Sequence, residues 1–239
     1  KGEGHLYSGD VDSIEEEKTT LRLRNAGYGE DIWSPKLMNF ADIDKLAYEV
    51  GGFDFVLADL GVSSMQIDNP ERGFTYKAEG PLDLRLNSKA GISAAERLKQ
   101  VGKEELAGML VENSDEPYAE EIASQIVNTL KRGMPIETTT DLYETIVKAF
   151  HRIKLSPEEK QEAIKKSSAR TFQALRIDVN HEYEVLYDFM EKLPKALRSG
   201  GRVAVLTFHS GEDRIVKKSF QALLRAGYYS DVARDVIRP

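Results

Sequence analysis

Two short apolar runs, each followed by a polar loop, predict the most deeply buried strands of this chain. The run FDFVLADL begins at Phe53, and the run RVAVLTF covers residues 202–208. Both are nearly continuous in apolar residues, which is typical of parallel strands that are buried on both faces. The stretches HLYSGDVDS and WSPKLMNF predict two further strands, of which the first ends near Asp10 and the second contains a proline.

Amphipathic helical patterns fill the sequence between these strands. Ser13 and Glu16 have the spacing of a capping box, which predicts a helix that begins at Ser13 and stops at Gly27. The stretch ADIDKLAYEV predicts a second helix, closed by Gly51 and Gly52, and EDRIVKKSFQALLRAG predicts a helix after the last buried strand. Strands that alternate with helices indicate an α/β fold with a parallel sheet.

A block of amphipathic helical patterns without strands interrupts this alternation. It predicts a helical insertion domain at residues 88–165, between two parts of an α/β domain at residues 1–87 and 166–239. After this block the pattern predicts one long helix with its expected break at Pro194, and residues 228–239 predict a last strand.

Composition and charge restrict the kinds of site that the chain can hold. The 239 residues include no cysteine, which excludes disulfides and thiolate metal sites. Hydrophobic residues make up 41% and charged residues 31%, as in a soluble globular protein, and no apolar run reaches the roughly 18 residues of a membrane span. Because the net charge is −7, contact with nucleic acid requires local basic patches, such as those around Lys165 and Arg214. Solvated helix faces explain both patches equally well.

The predicted strands end in loops that carry reactive side chains. Asp10, Asp59 and His209 each follow a strand, and in open parallel sheets ligands bind beyond the carboxyl ends of the strands. An acid at such a position accepts hydrogen bonds from nucleotide ribose hydroxyls, although a helix N-terminus alone also favours a carboxylate there. Ser63 and Ser64 can simply cap a turn. The chain has no G-x-S-x-G elbow, no phosphate-binding glycine loop and no histidine pair at metal-ligand spacing, so no metal site is predicted.

Three long motifs resemble the RsmH (MraW) family. They are DLGVSSMQIDNPERGFTYKAEGPLDLRLN, SARTFQALRIDVNHE and GGRVAVLTFHSGEDRIVK, and the resemblance extends from about residue 5 to about residue 220. The resemblance implies a Rossmann-like class I methyltransferase that uses S-adenosylmethionine to methylate the N4 amine of a cytidine in 16S ribosomal RNA. It also implies cytoplasmic action on RNA within the small ribosomal subunit.

The same resemblance implies cofactor-binding roles for four residues. Asp10 matches the acid that holds the cofactor ribose, Phe40 matches an aromatic that lines the cofactor site, and Asp59 and Gln66 match cofactor-contacting positions. Asp59 is also our candidate for the group that accepts a hydrogen bond from the cytosine amine, in competition with its cofactor role.

Three further residues are candidates for contact with the substrate. His209 can position the base or accept a proton. Arg72 and Arg85 can contact RNA phosphates, or each can form a surface ion pair instead.

The chain departs from the family pattern in three places, one of which is that the family's C-terminal basic tail is not found in it. The family has an upstream strand and a G-G-H loop that grips the methionine part of the cofactor, and we expect this segment to precede Lys1 in the natural protein, between the strands that end at Asp10 and Asp59. Without it, the chain as given is expected to bind the cofactor poorly. Gly211 replaces the leucine that is usual in F-H-S-L-E-D-R, and we expect it to loosen the loop that holds His209.

Two other functions fit the same sequence. One is a methyltransferase of the same fold that acts on another amine, and the other is a ribosome-binding assembly factor without activity.

Overall fold

The computed structural model of the chain describes residues 4–234, and it divides into two compact units. The first unit comprises the chain up to Gly61 and from Tyr183 onward, and the second comprises Val62–Glu182. Strands occur in the first unit and most helices of the predicted insertion occur in the second, which confirms the α/β class with parallel strands.

One pair of parallel strands lies near the start of the first unit. Strand β1 (Leu6–Asp10) pairs with strand β2 (Trp33–Leu37), and helix α1 (Ser13–Asn25) connects them. The predicted capping residue of α1 was wrong by one position. Asp12 is the N-cap, because its carboxylate accepts hydrogen bonds from the two backbone amides at positions 14 and 15.

The second parallel pair consists of strand β3 (Phe53–Asp59) and strand β4 (Leu197–Leu206). Helix α2 (Ile43–Val50) precedes β3 and ends at Gly51, whose φ of +80° is the left-handed conformation of a helix C-cap. Helix α10 (Ser210–Arg225) follows β4. No strand is found at residues 228–234, and residues 235–239 of the predicted last strand lie outside the described part.

One face of the β3–β4 pair packs into the core of the first unit. That core contains the following buried side chains: Ile43, Val56, Leu186, Phe189, Met190, Leu193, Ile215 and Val216. The prediction that β3 is buried on both faces was wrong for the described residues, because Phe55 and Leu57 on its other face are 58% and 57% exposed. An apolar run indicates a strand but does not tell what covers each of its faces.

The second unit is a helical bundle with its own core. Its longer helices are α4 (Ala94–Gln100), α5 (Lys103–Ser114), α6 (Ala119–Lys131), α7 (Thr139–Ala149) and α8 (Pro157–Asn180), preceded by the single turn α3 (Ser64–Ile67). Fully buried leucine, isoleucine and phenylalanine side chains fill its interior: Leu98, Leu106, Leu110, Ile122, Ile126, Ile136, Leu142, Ile146 and Phe150.

The helical unit extends beyond the predicted boundaries of 88–165 on both sides. Leu82 and Leu84, each 1% exposed, anchor the preceding loop in the helical core. Helix α8 continues without a break through residue 166, and the chain turns only at His181, whose φ of +51° is left-handed. The predicted long helix is therefore broken there.

Helix α9 (Glu182–Ala196) continues through the expected break at Pro194. No helix of the described residues is both long enough and apolar enough to cross a membrane.

Candidate active site

In the first unit, the carboxyl ends of β1 and β3 carry the two predicted acids. Asp10 is the last residue of β1, and its carbonyl oxygen accepts a hydrogen bond from the Met38 amide at 2.8 Å. Asp59 is the last residue of β3, where the Leu60 amide donates to the Leu206 carbonyl oxygen at 3.2 Å. Both acids thus stand where ligands bind to parallel α/β sheets.

The Asp10 carboxyl group is held at the start of the loop that leads into α1. Its Oδ1 accepts a hydrogen bond from the Asp12 amide at 2.8 Å. The residue as a whole is exposed, but neighbouring protein atoms desolvate the carboxyl group, and this desolvation raises its pKa. Hydrogen bonds from the backbone at Asp12 and Val11 act in the opposite direction, and the negative charge of Asp12 adds to the increase.

Phe40 lies two residues beyond the amide that bonds to Asp10. It opens a short 3-10 helix, Phe40–Asp42, which Asn39 caps by accepting a hydrogen bond from the Ala41 amide at 3.0 Å. The Phe40 ring packs edge-on against Phe189 of the core, with ring centroids 5.1 Å apart. This half-buried ring is therefore fixed close to the end of β1.

The Asp59 carboxylate is exposed at the tip of its strand. Within residues 4–234 it makes no side-chain hydrogen bond and no ion pair. The chain then turns at Gly61, whose φ is +85°, and Phe208 packs close to this glycine, with its own side chain 68% exposed. Asp59 is consequently available to an external hydrogen-bond donor.

His209 is the N-cap of helix α10, three residues after the end of β4. Its Nδ1 accepts a hydrogen bond from the Glu212 amide at 3.4 Å, and its Nε2 lies 3.2 Å from Glu212 Oε1. The other Glu212 oxygen accepts a hydrogen bond from the Phe208 amide at 2.8 Å. Glu212 was not among the predicted site residues, although its position three residues after a helix N-cap is the signal of a capping box.

The loop that begins the second unit holds Gln66. Ser63 and Gln66 form a capping box around α3, in which Gln66 Oε1 accepts a hydrogen bond from the Ser63 amide at 2.8 Å. The interpretation of Ser63 as a capping residue is therefore confirmed. Gln66 is buried at 6% exposure, and its contact with a cofactor stays a prediction.

The two arginines predicted to contact phosphate stabilise their own loop in the second unit. Arg72 is 6% exposed and donates hydrogen bonds to the carbonyl oxygens of Arg85, at 3.2 Å, and Leu86, at 2.9 Å. Arg85 forms a bidentate pair with Asp83, at 2.6 and 2.9 Å. The ion-pair alternative for Arg85 describes this geometry, and phosphate contact by either arginine stays a prediction.

Comparison with known proteins identifies the family. A family model described as the MraW methylase family matches residues 2–228. The chain belongs to this family. Two of the described strands, β1 and β3, end on the acids Asp10 and Asp59 that the sequence predicted.

Curated relatives have closely similar sequences. Ribosomal RNA small subunit methyltransferase H 1 of Agathobacter rectalis is 62% identical over 239 residues, which are 100% of this chain and 68% of the relative. The protein of the same name from Lachnoclostridium phytofermentans is 63% identical, over 100% of this chain and 65% of its own length. Ribosomal RNA small subunit methyltransferase H of Fusobacterium nucleatum is 40% identical, over 93% of this chain and 68% of the relative. The chain spans about two thirds of the length of these relatives.

Proposed function

We propose that this protein methylates the N4 amine of a cytidine in 16S ribosomal RNA, with S-adenosylmethionine as the methyl donor. The family match and the names of the relatives support methyl transfer to small-subunit ribosomal RNA. The observation that carries the proposal is the exposed Asp59 carboxylate at the tip of β3, in the same unit as Asp10 and His209. We further propose that the RNA is recognised within the small ribosomal subunit, in the cytoplasm.

The groups at the end of β1 fit the chemistry of a nucleoside cofactor. A carboxylate such as that of Asp10 would accept hydrogen bonds from ribose hydroxyls, and the Phe40 ring would provide an apolar wall. We also assign a cofactor-contacting role to Gln66, from its place in the family motif. When bound, S-adenosylmethionine supplies a methyl group activated by its attachment to a positively charged sulfur.

Asp59 would act on the amine that receives the methyl group. The lone pair of the cytosine N4 amine is delocalised into the ring, so the free amine is a poor nucleophile. A carboxylate that accepts a hydrogen bond from N4–H favours the pyramidal form of the nitrogen and stabilises the positive charge that develops on it. As the new nitrogen–carbon bond forms, the surplus N4 proton would be transferred along this hydrogen bond to Asp59. Alternatively, another nearby proton-accepting group would take it up.

His209 would position the substrate base beside this carboxylate. Its ring is only 13% exposed, and Glu212 contacts both of its nitrogens, by a 3.4 Å hydrogen bond at Nδ1 and a 3.2 Å approach at Nε2. The orientation of the ring is therefore restricted before any substrate arrives. Preorganised groups of this kind contribute to the rate, because the reacting atoms must be aligned. The cytosine must be unstacked or lie in a single-stranded loop to be reached.

The experiment that tests this function compares two aspartates on the same strand. In the full-length protein, Asp59→Ala should lower the turnover of methyl transfer to small ribosomal subunits about 100-fold or more, as expected for a positioned proton acceptor. The matched control is Asp54→Ala at the opposite end of β3, where the side chain is 81% exposed and pairs with Arg198. The control should retain its turnover. Undiminished turnover in Asp59→Ala would remove Asp59 from the mechanism.

A further inference from the structure

The start of helix α10 is packed against a tyrosine of helix α9. A Cβ atom built on Gly211 would overlap the Tyr183 hydroxyl oxygen and would lie 2.8 Å from Tyr183 Cζ, which is closer than real Cβ atoms approach other atoms. It would also lie 3.2 Å from His209 Nδ1. Gly211 is therefore the residue that leaves space for the Tyr183 ring beside His209.

The packing around Gly211 involves the same loop that it was expected to loosen, and that expectation stays a prediction. The Tyr183 and His209 ring centroids are 6.1 Å apart, so the tyrosine ring lies close to the histidine. Glu212, which is 4% exposed, contacts the same imidazole through its carboxylate and its backbone amide. The missing side chain at position 211 is thus replaced by an aromatic ring from another helix.

The position of Tyr183 is itself well supported. Helix α9 contributes Leu186, Phe189, Met190 and Leu193 to the core of the first unit, each at most 2% exposed. Tyr183 packs against this same core at the N-terminal end of the helix. A ring carried by such a helix restricts the rotation of the imidazole beside it.

We propose that Tyr183 is a positioning residue for His209 and that Gly211 and Tyr183 act as an interlocked pair. The chemical role of His209 rests on the function proposed above, whereas the packing of its ring does not. A side chain at position 211 displaces Tyr183, and the loss of Tyr183 leaves a space into which the imidazole can rotate. Either change moves His209 away from the orientation in which it meets the substrate base.

The test uses four variants of the full-length protein: Gly211→Ala, Tyr183→Ala, Tyr183→Phe and the double variant Gly211→Ala with Tyr183→Ala. The matched control is Tyr187→Ala, one helical turn further along α9, where the side chain is 54% exposed. Two quantities are measured for each variant: the NMR signals of the His209 ring, assigned with His209→Gln, and the steady-state rates of methyl transfer.

The proposal predicts a specific pattern. Gly211→Ala and Tyr183→Ala should each shift the His209 ring signals and lower kcat about tenfold, with the Kd of S-adenosylmethionine within twofold of wild type. The Tyr183→Phe variant should restore most of the activity lost in Tyr183→Ala, because the ring does the packing. The loss in the double variant should be smaller than the product of the two single losses, since the residues share one contact.

Two outcomes would overturn the proposal. The first is that the NMR signals of the His209 ring stay unchanged in both Gly211→Ala and Tyr183→Ala. The second is a double variant whose loss equals the product of the single losses. If the wild-type protein methylates no RNA, the proposed function fails, and the NMR signals still decide whether Tyr183 positions His209.

Discussion

At the scale of single residues, the candidate site consists of side chains that differ in how firmly the fold holds them. His209 is fixed by Glu212 and Tyr183, whereas the Asp59 carboxylate has no hydrogen-bond or ion-pair partner within residues 4–234. An exposed acid without a protein partner contributes little to folding, and its position at the strand tip is consistent with the binding role proposed above. Asp10 is intermediate, because one of its oxygens accepts a backbone hydrogen bond.

The raised pKa of Asp10 leads to a prediction about stability and binding together. The folded protein holds the Asp10 proton more tightly than the unfolded chain does. Protonated Asp10 therefore stabilises the fold fully at pH values below the unfolded pKa, near 3.8. This stabilisation is lost as the pH rises through the higher pKa of the folded state. At neutral pH the charged carboxylate therefore costs stability, and Asp10→Asn should raise the thermal midpoint of the cofactor-free protein.

The same substitution should weaken cofactor binding. Loss of a charged acceptor for the ribose should raise the Kd of S-adenosylmethionine roughly 10-fold or more in calorimetry of the full-length protein. In the wild type, acidification should weaken the binding of S-adenosylmethionine as Asp10 becomes protonated. Because the pKa of Asp10 is raised, this weakening should begin at a higher pH than it would if Asp10 had the ordinary pKa of an aspartate. Asp31→Asn, at an exposed loop position, serves as the control. An Asp10→Asn variant with unchanged affinity would exclude Asp10 from the cofactor site.

At the scale of secondary-structure elements, capping boxes set the starts of several helices. In the helical unit, the Asp141 carboxylate accepts hydrogen bonds from the amides of Glu137, at 3.1 Å, and Thr138, at 2.9 Å, and this closes the first turn of α7. Desolvation acts to raise the pKa of Asp141, but these hydrogen bonds outweigh it and lower the pKa. The ionised form is therefore the one that caps the helix.

Removal of this cap should destabilise the helical unit in a pH-dependent way. Asp141→Ala should cost about 1 kcal/mol at neutral pH, the order of magnitude for a capping interaction, because it removes one half of the capping box that Asp141 forms with the N-cap Thr138. The lowered pKa means that the stabilisation is present above the unfolded pKa and disappears as the pH falls through the folded pKa. Urea unfolding at several pH values measures the difference. The control is Glu144→Ala on the same helix, which loses only a 3.9 Å pair with Lys148. Equal effects of the two substitutions would contradict this account.

The sequence predicted most of the helices and strands, but it did not predict the contacts between residues that are far apart along the chain. Strands that end on Asp10 and Asp59 follow from local apolar patterns and are confirmed. The break at His181 was missed, because a left-handed non-glycine residue leaves no pattern in the sequence. Tyr183 was missed because it lies 28 positions from Gly211 along the chain, and only the folded core brings the two together.

At the scale of the whole molecule, the chain combines two units with separate cores. The parallel strands and their acids belong to one unit, and the motif loop with Gln66, Arg72 and Arg85 belongs to the other. The net charge of −7 is unusual for a protein that acts on RNA. Recognition of a structured ribosomal substrate must therefore depend on local contacts rather than on a general electrostatic attraction.

The most direct test of the central claim is mass mapping of 16S ribosomal RNA from a strain that lacks this gene. The account predicts that the N4 methyl group of one cytidine disappears. It should return when the wild-type gene is restored, but not when the Asp59→Ala variant is supplied. An unchanged pattern of cytidine N4 methylation in the deletion strain would contradict it, as would a lost methyl group on a different kind of nitrogen.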